Sequence, residues 1–191
     1  MNRLIATAVA VLLTACPPPP AKPLEWQTLA TGLDEALMGV DGTSDKDVWA
    51  VGADQGLGPL VLHFDGTAWN GGQAVTNEDL NGVWGASGQD VWAVGSKGTL
   101  LHYDGTRWAA SNAGLSSGLN AVFGTSGSDV WAAGEQGKVL HYDGTRWSSV
   151  DSGVTTALNA IGGAAPDEIY IVGALGVILR VQGSVLSKQT F

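Results

Sequence analysis

Residues Asp90 to Trp108 read Asp-Val-Trp-Ala-Val-Gly-Ser-Lys-Gly-Thr-Leu-Leu-His-Tyr-Asp-Gly-Thr-Arg-Trp, and this segment is the basis for predicting the fold. It returns almost letter for letter from Asp129 to Trp147, and with a short insertion from Asp47 to Trp69. A weaker version runs from Glu168 to Leu186. Because self-similarity at a fixed period is the signature of repeat architectures, the chain is predicted to consist of four copies of one unit.

Four landmarks recur in each copy and set its length. The landmarks are a Trp, a Leu eleven residues later, an aromatic residue, and a His or Arg: Trp26, Trp69, Trp108 and Trp147; Leu37, Leu80, Leu119 and Leu158; Trp49, Trp92, Trp131 and Tyr170; His63, His102, His141 and Arg180. The first copy carries extra residues within 53–59. The predicted repeats are therefore 26–68, 69–107, 108–146 and 147–191.

Each copy is predicted to form four short β-strands. The strands are rich in Val, Leu and aromatic residues and are bounded by Gly, Ser and Asp. An Asp-Gly-Thr turn follows the His strand at 65–67, 104–106 and 143–145. Four strands in about 40 residues, repeated side by side, are typical of a β-propeller. We therefore expect an all-β fold of four four-stranded blades over residues 24–191.

Closure of the ring is the open question about this fold, because the last repeat has lost the His-to-Trp pattern. One expectation is strand exchange, in which the N-terminal strand around Trp26 completes the last blade of a single four-bladed ring. The segment Ser184–Phe191 competes for that place. Alternatively, two chains form one eight-bladed ring as a homodimer with two-fold symmetry.

The stretch Gly-x-x-Gly-x-Val-Leu-His-Tyr-Asp-Gly-Thr-Arg-Trp resembles the repeats of Asp-box and BNR-type propellers, including the photosystem assembly factors. The resemblance covers residues 24–191 and implies a propeller. The Asp-box of that family has the form Ser-x-Asp-x-Gly-x-Thr-Trp. Here His102 stands in the Ser position, and Asp104 precedes Trp108 by four residues rather than five. Sialidases share this kind of blade, but the arginine cluster that they need has no counterpart here.

The N-terminus resembles that of a bacterial lipoprotein. Arg3 precedes a short apolar run, and Leu13-Thr14-Ala15-Cys16 resembles a lipobox, which implies a signal peptide at 1–15 and a lipid on Cys16. Residues 16–23 are rich in Pro and are predicted to form a semi-rigid tether. Pro17 after the Cys favours the outer membrane. The expected location is the cell envelope, with the membrane as a partner through the lipid.

Composition and motifs argue against several classes of function. The formal net charge is −9, so nucleic acid is not an expected partner. The chain has no Gly-x-Ser-x-Gly elbow and no phosphate-cradling Gly-Lys-Ser/Thr loop. The recurring His63, His102 and His141 are interpreted as structural rather than metal ligands, and the Asp of each Asp-Gly-Thr turn as a turn cap. We therefore expect no enzyme activity, no cofactor and no metal.

Positions that differ between repeats are the better candidates for a binding site, because recurring residues serve the fold. One series has Asp41 in the first repeat, Trp84 in the second and Phe123 in the third. A neighbouring series has Asn81, Asn120 and Asn159. These residues are predicted to lie near an end of the central channel. The favoured function is a non-catalytic scaffold that binds an envelope protein, and the alternative is a glycan-binding, lectin-like propeller with Trp84 or Phe123 as a stacking platform.

Overall fold

A computed structural model describes residues 33, 36–72, 74–183 and 185–189 of the 191-residue chain. They form sixteen β-strands in four antiparallel sheets of four strands each. The first two sheets are β1 Leu37–Ser44, β2 Asp47–Asp54, β3 Pro59–Phe64, β4 Trp69–Gly72; β5 Leu80–Ser87, β6 Asp90–Gly95, β7 Leu100–Tyr103, β8 Trp108–Ala110. The last two are β9 Leu119–Ser126, β10 Asp129–Gly134, β11 Val139–Tyr142, β12 Trp147–Val150; β13 Leu158–Gly163, β14 Ile169–Gly173, β15 Ile178–Gln182, β16 Val185–Lys188.

The four sheets are the blades of a β-propeller, which confirms the predicted fold class. Within each sheet the strands pair in chain order, so that each blade is one contiguous stretch. The Trp strand is the last strand of its sheet, since β4, β8 and β12 pair with the His strand before them. The sheets therefore run over residues 37–72, 80–110, 119–150 and 158–188, offset from repeats counted from each Trp. No helix in the described part of the chain is long and apolar enough to cross a membrane.

The tight turns between the second and third strands depend on left-handed backbone. In blade 2 both Lys97 (φ 52) and Gly98 (φ 74) have positive φ. Gln136 and Leu175 occupy the Lys97 position in blades 3 and 4, with φ of 55 and 57. A Gly supplies this conformation at the second of the two positions in each of these blades: Gly98, Gly137 and Gly176. The first position holds a non-glycine residue, for which the left-handed region is unfavourable.

The hydrophobic core lies between blades rather than within them. Two faces are used at every interface. The tryptophan face of one blade is defined by Trp49, Val51 and Val61 and their equivalents. The valine face of the next blade is defined by Val91, Ala93 and Leu101 and their equivalents. The three buried clusters each join these faces: Trp49, Val51, Val61 with Val91, Ala93, Leu101; Trp92, Val94, Leu100 with Val130, Ala132, Leu140; Trp131, Ala133, Val139 with Ile169, Ile171, Leu179.

The innermost strands follow one another around an axis. Strand β1 packs against β5, β5 against β9, and β9 against β13. Among the described strands, no contact of comparable extent joins β13 back to β1. The fourth strand of the last blade is Val185–Lys188, which lies in the segment that competed with the Trp26 strand for this place. It reaches β15 through a tight turn at Gly183, whose φ is +62. Trp26 itself lies outside the described residues, as do the predicted signal peptide, Cys16 and the tether.

Candidate functional site: the clefts between blades

An Asp, a His and a Trp form one recurring unit in each of the first three blades. The strand register places the Trp of the second strand opposite the His of the third, as in Trp92 and His102. His102 Nε2 donates a hydrogen bond to Asp90 Oδ1 at 2.7 Å, and its ring stacks on Trp92 with centroids 4.2 Å apart. Equivalent contacts join these residues in the other two blades: Asp47, His63 and Trp49; Asp129, His141 and Trp131.

Blade 4 replaces this unit with a different pair. Tyr170 stands in the Trp position, and Arg180 stands in the His position opposite it. The guanidinium donates through Nε and Nη2 to the carbonyl oxygen of Asp167, at 3.2 and 3.0 Å. Its Cζ lies 5.9 Å from the centroid of the Tyr170 ring, within reach of a cation–π contact. In blade 4 the side chain of the third strand is therefore held by a backbone carbonyl and a tyrosine ring, in place of a carboxylate and an indole.

Hydrogen bonds favour the ionised form of the Asp129 and Asp47 carboxylates. Burial acts to raise the pKa of Asp129, but hydrogen bonds from Thr125, His141 and Trp131 outweigh it and lower the pKa. The pKa of Asp47 is lowered in the same way, against the effect of burial, by Thr43 and His63. These acceptors are engaged within the fold. Among the described residues, no group of three or more His, Cys, Asp or Glu is placed to hold a metal ion.

The Asp of each Asp-Gly-Thr turn caps that turn, as predicted. Asp104 Oδ1 accepts hydrogen bonds from the backbone N–H groups of Thr106 and Arg107, both at 2.9 Å, and from the Thr106 hydroxyl. These bonds lower the pKa of Asp104 to about 2. Asp143 makes the same bonds, which also lower its pKa to about 2, and the bonds to Asp65 lower its pKa further still. The turn aspartates are therefore structural.

One cleft, which we name cleft 1, lies between the outer parts of blades 1 and 2. Its volume is about 810 Å³. Stacked Trp49 and His63 contribute from blade 1, and Tyr103, Arg107 and Trp108 contribute from blade 2. Trp49 meets Trp108 edge-on, with ring centroids 5.5 Å apart. Trp49 and Trp108 are buried, so the open surface of the cleft is formed by half-buried His63 and Tyr103 and by the exposed guanidinium of Arg107.

The rim of cleft 1 is formed by the last strand of blade 1 and the loop that follows it. The rim residues are Asn70, Gly71, Gly72, Ala74 and Val75. Asn70 Nδ2 donates to Asp65 Oδ2 at 2.9 Å, which orients this amide towards the turn. Val75 is 57% exposed. An apolar side chain at Val75 and the absence of side chains at Gly71 and Gly72 leave the cleft accessible to a polypeptide.

The same kind of cleft recurs between blades 2 and 3, and we name it cleft 2. It is smaller, at about 340 Å³, and is built on Trp92, His102, Tyr142, Arg146 and Trp147. Its rim carries Ala109, Ala110, Ser111 and Asn112 in place of the residues around cleft 1. The aromatic and Arg residues are thus shared between the clefts, whereas the rims differ. This difference lies in the sequence of the Trp strand and the loop after it, where no site residue was predicted.

Three predicted site residues occupy interfaces between inner strands. Trp84 is only 9% exposed and packs against Phe123, with ring centroids 6.3 Å apart. The Asp41 carboxylate accepts a hydrogen bond from the backbone N–H of Gly85 in the next blade, at 2.9 Å. Phe123 is half-buried and lines a cleft of about 700 Å³ between blades 3 and 4, together with Trp131 and Asp129. A buried indole offers no open face to a sugar ring, so this geometry does not favour Trp84 as a stacking platform.

The predicted asparagine series joins neighbouring blades. Asn81 Nδ2 donates to the carbonyl oxygen of Leu119, and Asn120 Nδ2 donates to that of Leu158, both at 2.9 Å. Asn159, the third member, is exposed and makes no side-chain hydrogen bond within the described part of the chain. Asn81 and Asn120 therefore link the inner strands of neighbouring blades, and neither residue lines cleft 1. Ligand binding by Asp41, Trp84, Phe123 and these asparagines stays a prediction.

Three solved structures resemble this chain at low sequence identity. YCF48 from Cyanidioschyzon merolae matches with a TM-score of 0.65 at 16% identity, over 87% of this chain and 60% of its own. YCF48 bound to D1 peptide matches with a TM-score of 0.61 at 15% identity, over 81% of this chain and 55% of its own. The extracellular domain of BT3049 from B. thetaiotaomicron, described as a hybrid two-component system, matches with a TM-score of 0.60 at 13% identity, over 81% of this chain and 24% of its own.

These structural similarities establish the fold, whereas comparison of the sequence alone finds no match. No protein-family model matches the sequence, and no curated protein matches it. The chain spans at most 60% of the length of the three similar structures. What the chain shares with them is a β-propeller built from four-stranded blades.

Proposed function

We propose that this protein is a lipid-anchored β-propeller of the cell envelope that binds a segment of another protein in cleft 1 and acts as a non-catalytic scaffold. The observation that carries the proposal is the composition of cleft 1. Half-buried Tyr103 and exposed Arg107 lie at its surface over the buried Trp49 and Trp108, and Tyr and Arg are among the residues that dominate binding energy at protein interfaces. A likeness in fold to YCF48, one structure of which holds a D1 peptide, is consistent with this choice.

The rim of cleft 1 also suits a polypeptide. Strand β4 is the outermost strand of blade 1, so one of its edges is not paired within the sheet. An extended segment can add to such an edge through main-chain hydrogen bonds while its side chains enter the cleft. Gly71 and Gly72 in β4 let a second backbone approach closely, because they present no Cβ.

A catalytic role has less support in this geometry. The Asp and His of the recurring unit bond to each other in all three blades, and each Asp also accepts from or lies beside residues of its own sheet. A general base must instead reach a substrate or a nucleophile.

An anchor on Cys16 would hold the propeller at a membrane surface, where a scaffold meets envelope partners. The outer membrane is the proposed location.

Site-specific photo-cross-linking in cells tests the binding site. A photoreactive residue replaces Val75 on the rim of cleft 1 in the full chain, and a second version carries it at Val185, on the outer strand of blade 4. We expect one discrete protein adduct from position 75 and none from position 185. Loss of position 75 adducts in the Arg107→Ala background would place the partner in cleft 1.

The matched control for Arg107 is Arg146→Ala, since Arg146 is its repeat equivalent in cleft 2. We expect Arg107→Ala to reduce the adduct at least about tenfold, as for loss of an interface hot spot, and Arg146→Ala to leave it unchanged. Equal adducts from positions 75 and 185 would contradict the proposal. Recovery of glycan rather than protein on the purified chain would support the lectin-like alternative.

A further inference from the structure

We propose that a second copy of this chain docks the valine face of its first blade onto the tryptophan face of the fourth blade, so that two copies complete one eight-bladed ring. This inference is independent of the proposed function, because it concerns the two ends of the blade series and not cleft 1. It rests on comparing the same positions in different repeats.

The repeats show what each face needs. In the three internal interfaces, a tryptophan face always packs against the valine face of the following blade. Trp131 and Ala133, on the tryptophan face of blade 3, are 1% and 0% exposed because blade 4 covers them. Their equivalents in blade 4, Tyr170 and Val172, are 41% and 40% exposed. The tryptophan face of blade 4 therefore has partly exposed apolar side chains beside Arg180.

The first blade presents the complementary surface. Leu80 and Val83 on the inner strand of blade 2 are 0% and 6% exposed, because they pack on blade 1. Their equivalents in blade 1, Leu37 and Val40, are 47% and 70% exposed. Val40 shares the valine face of blade 1 with Ala50, which is 4% exposed, so the exposed part of this face is its inner strand. Among the described residues, apolar side chains that are covered at the internal interfaces are thus exposed at both ends of the blade series.

The asparagine series supplies an independent sign of the same contact. Asn81 bonds the carbonyl oxygen of Leu119, and Asn120 bonds that of Leu158, each reaching the next blade. By the same rule, Asn159 should reach the carbonyl oxygen of the Leu that begins a following blade. In a second copy, that residue is Leu37. Asn159 is exposed in the single chain, so its amide is available to donate to a second copy.

Two-fold symmetry makes this contact close on itself. A head-to-tail contact between copies gives a closed ring when the rotation closes, and a filament when it does not. Four blades in each of two copies make eight, which is within the range of four to eight typical for propellers. The occupant is a second copy because its first blade carries the matching apolar surface and the matching carbonyl group.

Sedimentation of the full chain in mild detergent tests the ring. We expect the wild type to sediment as a dimer. A charge on either free face, in Val40→Lys or Val172→Asp, should weaken dimerisation by more than about tenfold, because it buries an unpaired charge. The control is Leu57→Lys, at a residue that is 99% exposed in the insertion of blade 1, and it should leave the dimer intact.

Mixing the two charged variants gives the sharpest result. In a mixed ring one interface pairs the new Lys with the new Asp, and the other interface has the wild-type residues, so we expect the dimer to return. A wild-type monomer would overturn the proposal, as would a dimer that either variant leaves intact. Loss of the dimer in Val40→Lys alone would indicate contact between two first blades. A sedimenting mass that grows with protein concentration would indicate a filament. Either outcome would also overturn the proposed ring. Circular dichroism of each variant checks that the chain is folded.

Discussion

The imidazole ring of His63 lies flat on the indole of Trp49, with ring centroids 4.1 Å apart and planes inclined by 14°. Asp47 fixes the orientation of the imidazole by accepting a hydrogen bond from His63 Nε2 at 2.6 Å. The indole is buried, so the stacked pair links the solvent-facing edge of the blade to the core between blades 1 and 2. The recurrence of this relationship in blades 2 and 3 makes it a device for stability.

The first prediction concerns the carboxylate of this unit in blade 3. Asp129 accepts hydrogen bonds from His141 at 2.8 Å and from Trp131 Nε1 at 2.9 Å, and also from Thr125. We expect Asp129→Asn to lower the free energy of unfolding by about 1–3 kcal/mol, because the amide cannot satisfy all of these partly buried donors. Urea denaturation measures the change. Asp45→Asn, in an exposed turn, serves as the control and should change stability by less than about 0.5 kcal/mol.

The second prediction concerns acid. Hydrogen bonds lower the pKa of Asp104 and Asp143 to about 2, below the value of about 3.9 for an unfolded Asp. A depressed pKa in the folded state stabilises the protein above the unfolded value, and this contribution is lost as pH falls. We expect the urea midpoint to decline between about pH 4 and pH 2. The Asp104→Asn/Asp143→Asn variant should have a shallower decline, and an identical slope would contradict this assignment.

The third prediction is a stabilising substitution in the tight turn of blade 4. Leu175 has a φ of 57 and is 90% exposed, so its side chain makes few contacts that would be lost. We expect Leu175→Gly to stabilise the protein by about 0.5–1 kcal/mol, because the left-handed region is unfavourable for Leu but not for Gly. The matched control is Leu57→Gly, at an exposed Leu that is not in the left-handed region, and it should be destabilising. Thermal unfolding compares the two, and the same sign for both would refute the argument.

The fourth prediction concerns the membrane anchor. If Cys16 carries the lipid, cells fed radiolabelled palmitate should label the wild-type chain and should not label Cys16→Ala. The unlabelled variant should also leave the membrane fraction. Thr14→Ser keeps a small residue in the Leu13-Thr14-Ala15-Cys16 stretch and should retain the label. Labelling that persists in Cys16→Ala would remove the basis for the envelope location.

The sequence predicted that the recurring Asp and His residues have structural roles, but it did not predict all of their partners. The Asp104 turn cap follows from the Asp-Gly-Thr pattern, since a short carboxylate beside Gly bonds the amides of its own turn. A structural role for His102 was also expected, but its acceptor was not. Asp90 lies twelve residues away in sequence and becomes a neighbour only through the strand register. Cleft 1 was missed because its rim, around Asn70 and Val75, meets Tyr103 and Arg107 of another blade only after folding.

The repeat, the four strands of each unit and the turns between them can be read from the chain, because they depend on local spacing, strand-forming side chains and turn residues. Which blade covers which face depends on how the blades pack in three dimensions. Leu37 and Leu80 are the same residue in the same local pattern, yet the first is exposed and the second is fully buried. Burial depends on the neighbour that packs against a face, and no local pattern in a repeat says where the series of neighbours stops.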